Sequence, residues 1–248
     1  MKIIADLHTH SIASGHSFGT IEEMAKVAKA KGLKLLAITD HGPALPGAPT
    51  YLYFKCVHLL PEYINNVKII GGVEANILNK KGELDLPDEI LANQDIVLAG
   101  FHYDVGYTTN NIKDNTEAII NVLQNPEVDI IAHIANSSFP VDLEIAVKIA
   151  KENNKIFEIN NRCFVGGSRK NSEEYISKLI QLCLENEVKL IITSDAHSQF
   201  QVGCFSKAIQ FAIKNGVREE NILNTNYEKL IEYLNSIHKN KRAREKVE

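Results

Sequence analysis

The residues best suited to chemistry in this 248-residue chain are its histidines, and seven of the nine come just after short apolar runs. His8 and His10 follow Ile3-Ile4, with His16 on the next loop, and Asp40 and His41 follow the run from Leu33 to Ile38. Glu74 follows Val67 to Val73, His102 follows Ile96 to Ala99, His133 follows Ile130 to Ala132, and Asp195 and His197 follow Leu190 to Thr193. The run Ile156 to Ile159 is followed by Asn160 and Asn161. Side chains alternate across a strand, so His8 and His10 share a face and form a ready pair of metal ligands. A single histidine at a strand end is more often a hydrogen-bonded packing residue, which is how His58 and His238 read. Seven imidazoles gathered without metal would repel when protonated and crowd unpaired polar groups. With Glu74 and Asp195 they exceed one four-coordinate ion and suit two or three ions sharing a bridging carboxylate. Imidazole and carboxylate without thiolate favour Zn²⁺, Mn²⁺ or Fe²⁺ over Ca²⁺ or Cu⁺. Asp6 and Asp40 sit beside ligands, where they could accept hydrogen bonds from the imidazoles and orient them.

These residues converge only if the runs are parallel strands of one sheet. Seven apolar runs separated mostly by amphipathic segments predict strands covered on both sides, and so an α/β barrel slightly short of the usual eight. No Gly-x-Gly-x-x-Gly follows the first run, which counts against an open nucleotide-binding sheet. In a parallel barrel every strand end falls on one rim, where active sites lie. Thr20-Ile21-Glu22-Glu23 is a capping box opening a helix that Gly32 ends. Asp142 opens a second helix with Ile145, Ala146 and Ile149 on one face. Ser172 caps a third, to Glu187, with Ile176, Leu179, Ile180 and Cys183 inward. Phe205 to Asn215 and Tyr227 to His238 complete the set. Pro43 to Pro61 reads as a long loop at the mouth.

Composition narrows the function classes. A length of 248 residues with 44% hydrophobic and 23% charged residues fits one large soluble core. A net charge of -4 argues against general affinity for nucleic acid or an anionic membrane. Cys56, Cys163, Cys183 and Cys204 form no Cys-x-x-Cys pair and read as reduced thiols. No signal peptide or membrane span is legible, so the expected location is the cytoplasm. The expected domain runs over 1–238, and the basic tail 239–248 reads as a solvated terminus.

The ordered motifs Asp6-Leu7-His8-Thr9-His10-Ser11, Thr39-Asp40-His41-Gly42, Gly72-Val73-Glu74-Ala75-Asn76, Gly100-Phe101-His102 and Ser194-Asp195-Ala196-His197 resemble those of the polymerase and histidinol phosphatase (PHP) superfamily. Within it the chain most resembles the YcdX-type phosphatases, over nearly its whole length. The resemblance implies a distorted (β/α)7 barrel with a trinuclear, usually zinc, site, and suggests a trimer. It assigns His8, His10, Glu74 and Asp195 to one metal, His16, His41 and His197 to a second, and His102 and His133 to a third, with Glu74 bridging the first and third. Relatives often follow the fifth-strand histidine with Pro-Gly, whereas this chain has Ile134-Ala135-Asn136.

Clustered divalent ions lower the pKa of bound water and offset charge on attacking and leaving oxygens, which suits phosphate ester hydrolysis. The expected activity is therefore hydrolysis of a small phosphomonoester, with Asp40, Glu74 and Asp195 as the catalytic carboxylates. No Gly-x-Ser-x-Gly motif or active-site cysteine pattern offers a covalent nucleophile. Arg169, in Ser168-Arg169-Lys170, is the expected phosphate clamp, followed by Lys170 and then Arg162. Two other readings use the same ligands: a PHP-type nuclease, which would need a basic track with aromatics, and a metal-binding module without turnover.

Overall fold

The computed structural model describes residues 1–109, 111–166 and 172–238. The apolar runs become β1 (Ala5–Asp6), β2 (Leu35–Ile38), β4 (Val67–Asn76), β5 (Ile96–Gly100), β6 (Ile130–Ile131), β7 (Ile156–Asn160) and β8 (Leu190–Thr193), with β3 (Tyr63–Ile64) between the second and third of them. The seven long-range neighbours pair in parallel in the order β1-β2-β4-β5-β6-β7-β8. The expected seven-stranded barrel is therefore present. β3 is an addition: it pairs antiparallel with β4, Tyr63 opposite Lys68, and the turn is made by Asn65 and Asn66 at φ 53° and 63°. Asparagine is among the few residues that tolerate this left-handed region.

The barrel closes between β1 and β8 by two different means. At the C-terminal end of the strands, Thr9 pairs with Ala196 and the His10 N–H donates to the Ala196 carbonyl at 2.8 Å. Lower down the edges stand apart and Asn224 fills the gap. Its amide nitrogen donates to the carbonyls of Ala5 (2.9 Å) and Ile192 (2.7 Å), its side-chain oxygen accepts from the Ile192 N–H, and its own carbonyl accepts from Ile4. One fully buried asparagine thus satisfies two strand edges that would otherwise be unpaired.

The helices are α1 (Ile21–Ala30), α2 (Tyr51–Lys55), α3 (Asp88–Leu91), α4 (Ile112–Gln124), α5 (Leu143–Glu152), α6 (Glu173–Asn186), α7 (Ser206–Lys214) and α8 (Tyr227–His238). The Thr20–Glu23 capping box is formed, and the chain leaves α1 through Gly32 at φ 76°. Three helical expectations need correction. α4 was not anticipated; Asn111 caps it by accepting from the N–H groups of Lys113 and Asp114, and Ala118, Ile119, Val122 and Leu123 face inward. α5 buries Leu143, Ala146, Val147 and Ala150 rather than the Ile145 side, and Ile145 is 42% exposed, because the i, i+3, i+4, i+7 stripe starts at Leu143. Ser172 stands at the N-cap of α6 without capping it, its hydroxyl instead accepting from the Ser137 N–H. The segment from Pro43 to Pro61 is not plain loop, since it contains α2 with Phe54 fully buried.

Strand alternation divides the core. Leu36, Ile38, Val73, Val97, Phe157 and Ile192 point outward to the helices. Leu35, Ile70, Leu98, Ile130, Ile156 and Ile191 fill the lower barrel interior, closed from below by Leu230 and Leu234 of α8. No helix among the described residues is long and apolar enough to cross a membrane.

Candidate metal centre

One or two alternations further along each strand, the interior rows change character. Ile70 leads through Gly72 to Glu74, Leu98 through Gly100 to His102, and Ile191 through Thr193 to Asp195, as the two-residue period requires. His133 follows an inward Ala132, and a φ of 33° lets the chain turn its ring inward. The ring takes the space beside Gly100, where a Cβ would lie 2.8 Å from His133 Cε1.

Glu74 is the centre of the arrangement and fully buried. Its Oε2 lies 3.1 Å from His8 Nε2, 3.3 Å from His10 Nε2 and 3.0 Å from His41 Nδ1. Its Oε1 lies 2.7 Å from His133 Nε2 and 3.1 Å from His102 Nε2. Asp195 Oδ1 is 3.4 Å from His10 Nε2 and 3.3 Å from His197 Nδ1. His197 Nε2 in turn lies 3.0 Å from Nε2 of the exposed His16. Among the described residues three ligand sets are compact enough to hold an ion: His8, His10 and Glu74; His41, Glu74 and His102; and His10, His41 and His197. Glu74 Oε2 and His41 Nδ1 are buried without a hydrogen-bond partner, the condition a coordinated cation would relieve. The donors are imidazole and carboxylate with no thiolate, so the residues fit a Zn²⁺-like ion.

The far side of several rings is held by protein. Glu158 accepts from His8 Nδ1 at 2.6 Å and also from the His133 N–H, Asn160 Nδ2 and the Thr193 hydroxyl. Ser14 donates to Asp40 at 2.7 Å, so its oxygen is left to accept from His10 Nδ1 at 3.3 Å. His16 Nδ1 faces the Ser14 carbonyl and His197 Nδ1 the Asp195 carbonyl, both at 3.0 Å. A ring whose Nδ1 donates outward presents the Nε2 lone pair inward, the tautomer a metal requires.

Electrostatics point the same way. Burial lowers the pKa of His10 and His41, and the neighbouring imidazoles lower that of His10 further, so both stay neutral. Burial, followed by the charge of Arg162, brings His197 down to about 4 despite Asp195. Burial opposes ionisation of Glu74, yet His8 and the hydrogen-bonded His102 hold it well below the ordinary carboxylate range. His8 goes the other way: burial would lower it, but Glu74, Glu158 and Asp195 raise it well above the ordinary value. Divalent ions would replace such protons as the charge that balances these carboxylates.

The remaining expected residues lie as follows. Asp40 is buried but bonds no imidazole among the described residues; it accepts from the Ser11 N–H and hydroxyl, Ser14 and the Tyr53 hydroxyl (2.6 Å), reaching His10 only through Ser14. Asp6 likewise serves no imidazole, because it ties Ser194 and the Gly203 N–H together, and burial raises its pKa to about 6. Asn160 links Glu158 to Asp195, and Asn161 accepts from the Lys207 and Ala208 N–H groups at the start of α7. Arg169 and Lys170 lie outside the described residues, as does the tail 239–248. His58 is exposed, bonded to the Lys55 carbonyl. Sequence reasoning missed Glu158, whose signal is a charge at an inward position of an apolar strand. A cleft of about 350 Å³ opens above the cluster, lined by His16, His41, His102, His197, Leu45, Tyr103, Asp104 and Arg162 among others.

Comparison with known proteins adds to this geometry. A family model described as the PHP domain matches residues 6–165. A protein of Acetivibrio thermocellus named "Probable phosphatase" is 44% identical over 247 residues, covering 100% of this chain and 99% of that protein. A similarly named Thermoanaerobacter protein is 46% identical over 234 residues, covering 94% of this chain and 95% of that one. Among solved structures, the histidinol phosphate phosphatase of Lactococcus lactis, complexed with zinc, L-histidinol and phosphate, shares the fold. Its TM-score is 0.62 at 19% identity, over 86% of this chain and 94% of that chain.

Proposed function

Since the chain belongs to the PHP-domain family, we propose that it is a metal-dependent phosphatase that hydrolyses a small phosphomonoester. The observation that carries this reading is Glu74, a buried carboxylate whose two oxygens face separate groups of imidazoles. The names of the full-length relatives and the zinc and phosphate of the Lactococcus structure support it. We assign His8, His10, Glu74 and Asp195 to one ion, His16, His41 and His197 to a second, and His102 and His133 with Glu74 to a third. Zinc is the expected metal, with manganese and iron as alternatives. When bound, such ions lower the pKa of water and stabilise charge on the transferring phosphoryl group.

The chain's own residues do the rest. Burial keeps His10, His41 and His197 neutral, with lone pairs for coordination. Glu158, Ser14 and the Asp195 carbonyl fix the rings from behind, and Asp40 acts one step further out as a positioning residue through Ser14. Glu74 and Asp195 supply the negative charge that balances the cations.

The test is to supply protein loaded with zinc or manganese with p-nitrophenyl phosphate, small phosphomonoesters and single-stranded DNA, alongside elemental analysis. Phosphate release from monoesters with two to three ions per chain is expected, at about three or four protein ligands per ion. Degradation of DNA without monoester turnover would show a nuclease. One ion or fewer after supplementation would remove the multinuclear site.

A further inference from the structure

We propose that Tyr103 and Asp104 form a subsite for a cationic leaving group, which makes the preferred substrate the phosphate monoester of a short amino alcohol. The proposal rests on the phosphatase reading above and names the substrate class of that site. Both residues follow His102 directly and line the cleft of about 350 Å³ above the imidazoles. Tyr103 is 42% exposed. Its ring lies against the buried Phe139, with centroids 5.2 Å apart and planes at 48°. Phe139 in turn stacks on Phe101 at 5.2 Å and 9°. The tyrosine ring is thus fixed from behind by two aromatic layers, and its remaining surface is open at the cleft.

Asp104 stands in the left-handed region at φ 64°. Aspartate is one of the few side chains that enter this region, but glycine would do so without strain. A strained position beside a reaction centre points to function, and this one keeps a charged side chain at the cleft. No described residue bonds to or pairs with its carboxylate. Arg162, the other fixed charge of the cleft, is turned to His197, whose Nδ1 lies 2.8 Å from its Nη1. The cleft therefore presents an unpaired anion next to a pinned aromatic ring, the combination an ammonium group requires. The face of the ring attracts the cation, and the carboxylate supplies charge and accepts N–H bonds. The same carboxylate repels a leaving group that carries a second anion. Leu45 and Pro46 add apolar surface suited to a short carbon chain. A volume of this size lies at the small end of ligand pockets, so the leaving group must be short. An amino-alcohol phosphate thus has its anionic end at the imidazole cluster and its cationic end at Tyr103 and Asp104.

The experiment supplies zinc-loaded protein with phosphoethanolamine, phosphocholine, the uncharged dimethylbutyl isostere of phosphocholine, glycerol phosphate and phosphoglycolate. The ratio of kcat/KM for a charged ester over the uncharged isostere cancels any general loss of activity. Wild type should favour phosphocholine over its isostere by about 3- to 30-fold, the sum of one exposed cation–π contact and one exposed ion pair. Phosphoglycolate should be the poorest of the set. Tyr103→Leu, which keeps apolar volume but removes the aromatic face, should lower the ratio about 2- to 5-fold. Asp104→Asn, which keeps a residue suited to the left-handed backbone, should lower it by about the same factor and improve phosphoglycolate relative to phosphocholine. Both changes should fall on KM, because the ammonium is charged alike in ground and transition states. Calorimetry with aminopropylphosphonate, an uncleavable analogue of phosphoethanolamine, against uncharged butylphosphonate should show the same losses without turnover. A merely structural role would weaken charged and uncharged ligands alike and leave the ratios where they were. Wild type that prefers neither phosphocholine nor phosphoethanolamine, or ratios that move in neither variant, overturns the proposal while hydrolysis of p-nitrophenyl phosphate keeps the phosphatase reading. A higher kcat/KM for glycerol phosphate than for phosphoethanolamine would show Asp104 accepting from hydroxyls and also overturns it. Loaded wild type that hydrolyses no monoester, p-nitrophenyl phosphate included, overturns the phosphatase reading and this proposal with it.

Discussion

The lower and upper halves of the barrel interior are built from the same strands by the same two-residue alternation, yet they hold opposite chemistry. Below, Ile70, Leu98, Ile156 and Ile191 meet Leu230 and Leu234 of α8. Above, one or two alternations on, Glu74, His102, Glu158 and Asp195 meet five further buried histidines. The lower half gains from burial of apolar area. The upper half buries carboxylates and imidazoles whose desolvation is unfavourable unless ions and hydrogen bonds compensate it. The fold can therefore be expected to rest on the lower half and the helical shell, and the chemistry on the upper half.

Changes made one at a time in each half should break this division if it is wrong. The largest effect is expected at Glu74. Glu74→Gln keeps size and removes the charge shared between two imidazole groups, so monoester turnover should fall on the order of a thousandfold or more, several kcal/mol of charge stabilisation being lost. Leu98→Ala, in the lower half, should instead lose about 2–5 kcal/mol of folding stability, with turnover per folded molecule retained. Steady-state kinetics and urea denaturation of both variants check this. Two variants with the same profile would mean the halves are not separable.

Next in size is the seam that joins β1 to β8. Asn224→Ala leaves the carbonyls of Ala5 and Ile192 and the N–H of Ile192 without partners. At about 1–3 kcal/mol for each buried unsatisfied group, the loss should be on the order of 3 kcal/mol or more. Asn224→Asp should do no better, because a carboxylate has no N–H to offer two carbonyls. Denaturant midpoints decide the matter, and a near-wild-type Asp variant would show that the seam closes in another way.

Smaller still is the effect on ligand orientation. Glu158 receives four donors, so Glu158→Gln must turn an NH₂ group toward at least one of them. Loss of such a supporting partner should weaken zinc retention about 10- to 100-fold, read by chelator competition. Retention equal to wild type would mean the rings hold their orientation without it.

How far these features were legible follows from their geometry. The strands were visible because buried parallel strands are continuous apolar runs, and the ligands because they end those runs. Glu158 was overlooked because it lies inside the run Ile156 to Ile159, although its parity with Ile156 marks it as inward. α4 carried a readable stripe at Ala118, Ile119, Val122 and Leu123, but it follows a polar stretch with no capping box. Ser14 and Asn224 could not be read at all. Ser14 acts on His10 and Asp40 through a turn whose path is tertiary, and Asn224 joins two strands more than 180 residues apart. The Tyr53–Asp40 bond is of the same kind, made by a short helix inside a proline-rich segment.

The smallest expected effect is a pH slope confined to the upper half. Asp85 accepts from Asn76 Nδ2 (2.5 Å), the Asn76 N–H (2.8 Å) and the Ala44 N–H (2.9 Å), fastening the segment after His41 to the end of β4. Burial raises its pKa above the ordinary carboxylate value, and these hydrogen bonds offset only part of that rise. The folded protein therefore holds the Asp85 proton more tightly than the unfolded chain does. The resulting stability is fully present below the unfolded-chain value and is lost as pH rises through the folded one. Asp85→Asn cannot titrate, and its NH₂ would face an N–H, so it should be less stable than wild type throughout. The gap between the two should narrow as pH rises across that window and stay level above it. Leu98→Ala, which removes no titrating group, should show a gap that does not move. Urea denaturation of the three proteins in chelator, at a series of pH values from acid to neutral, measures both gaps. A gap for Asp85→Asn that widens with pH would mean the carboxylate is stabilised in its ionised form, and the polar half better compensated than its burial implies.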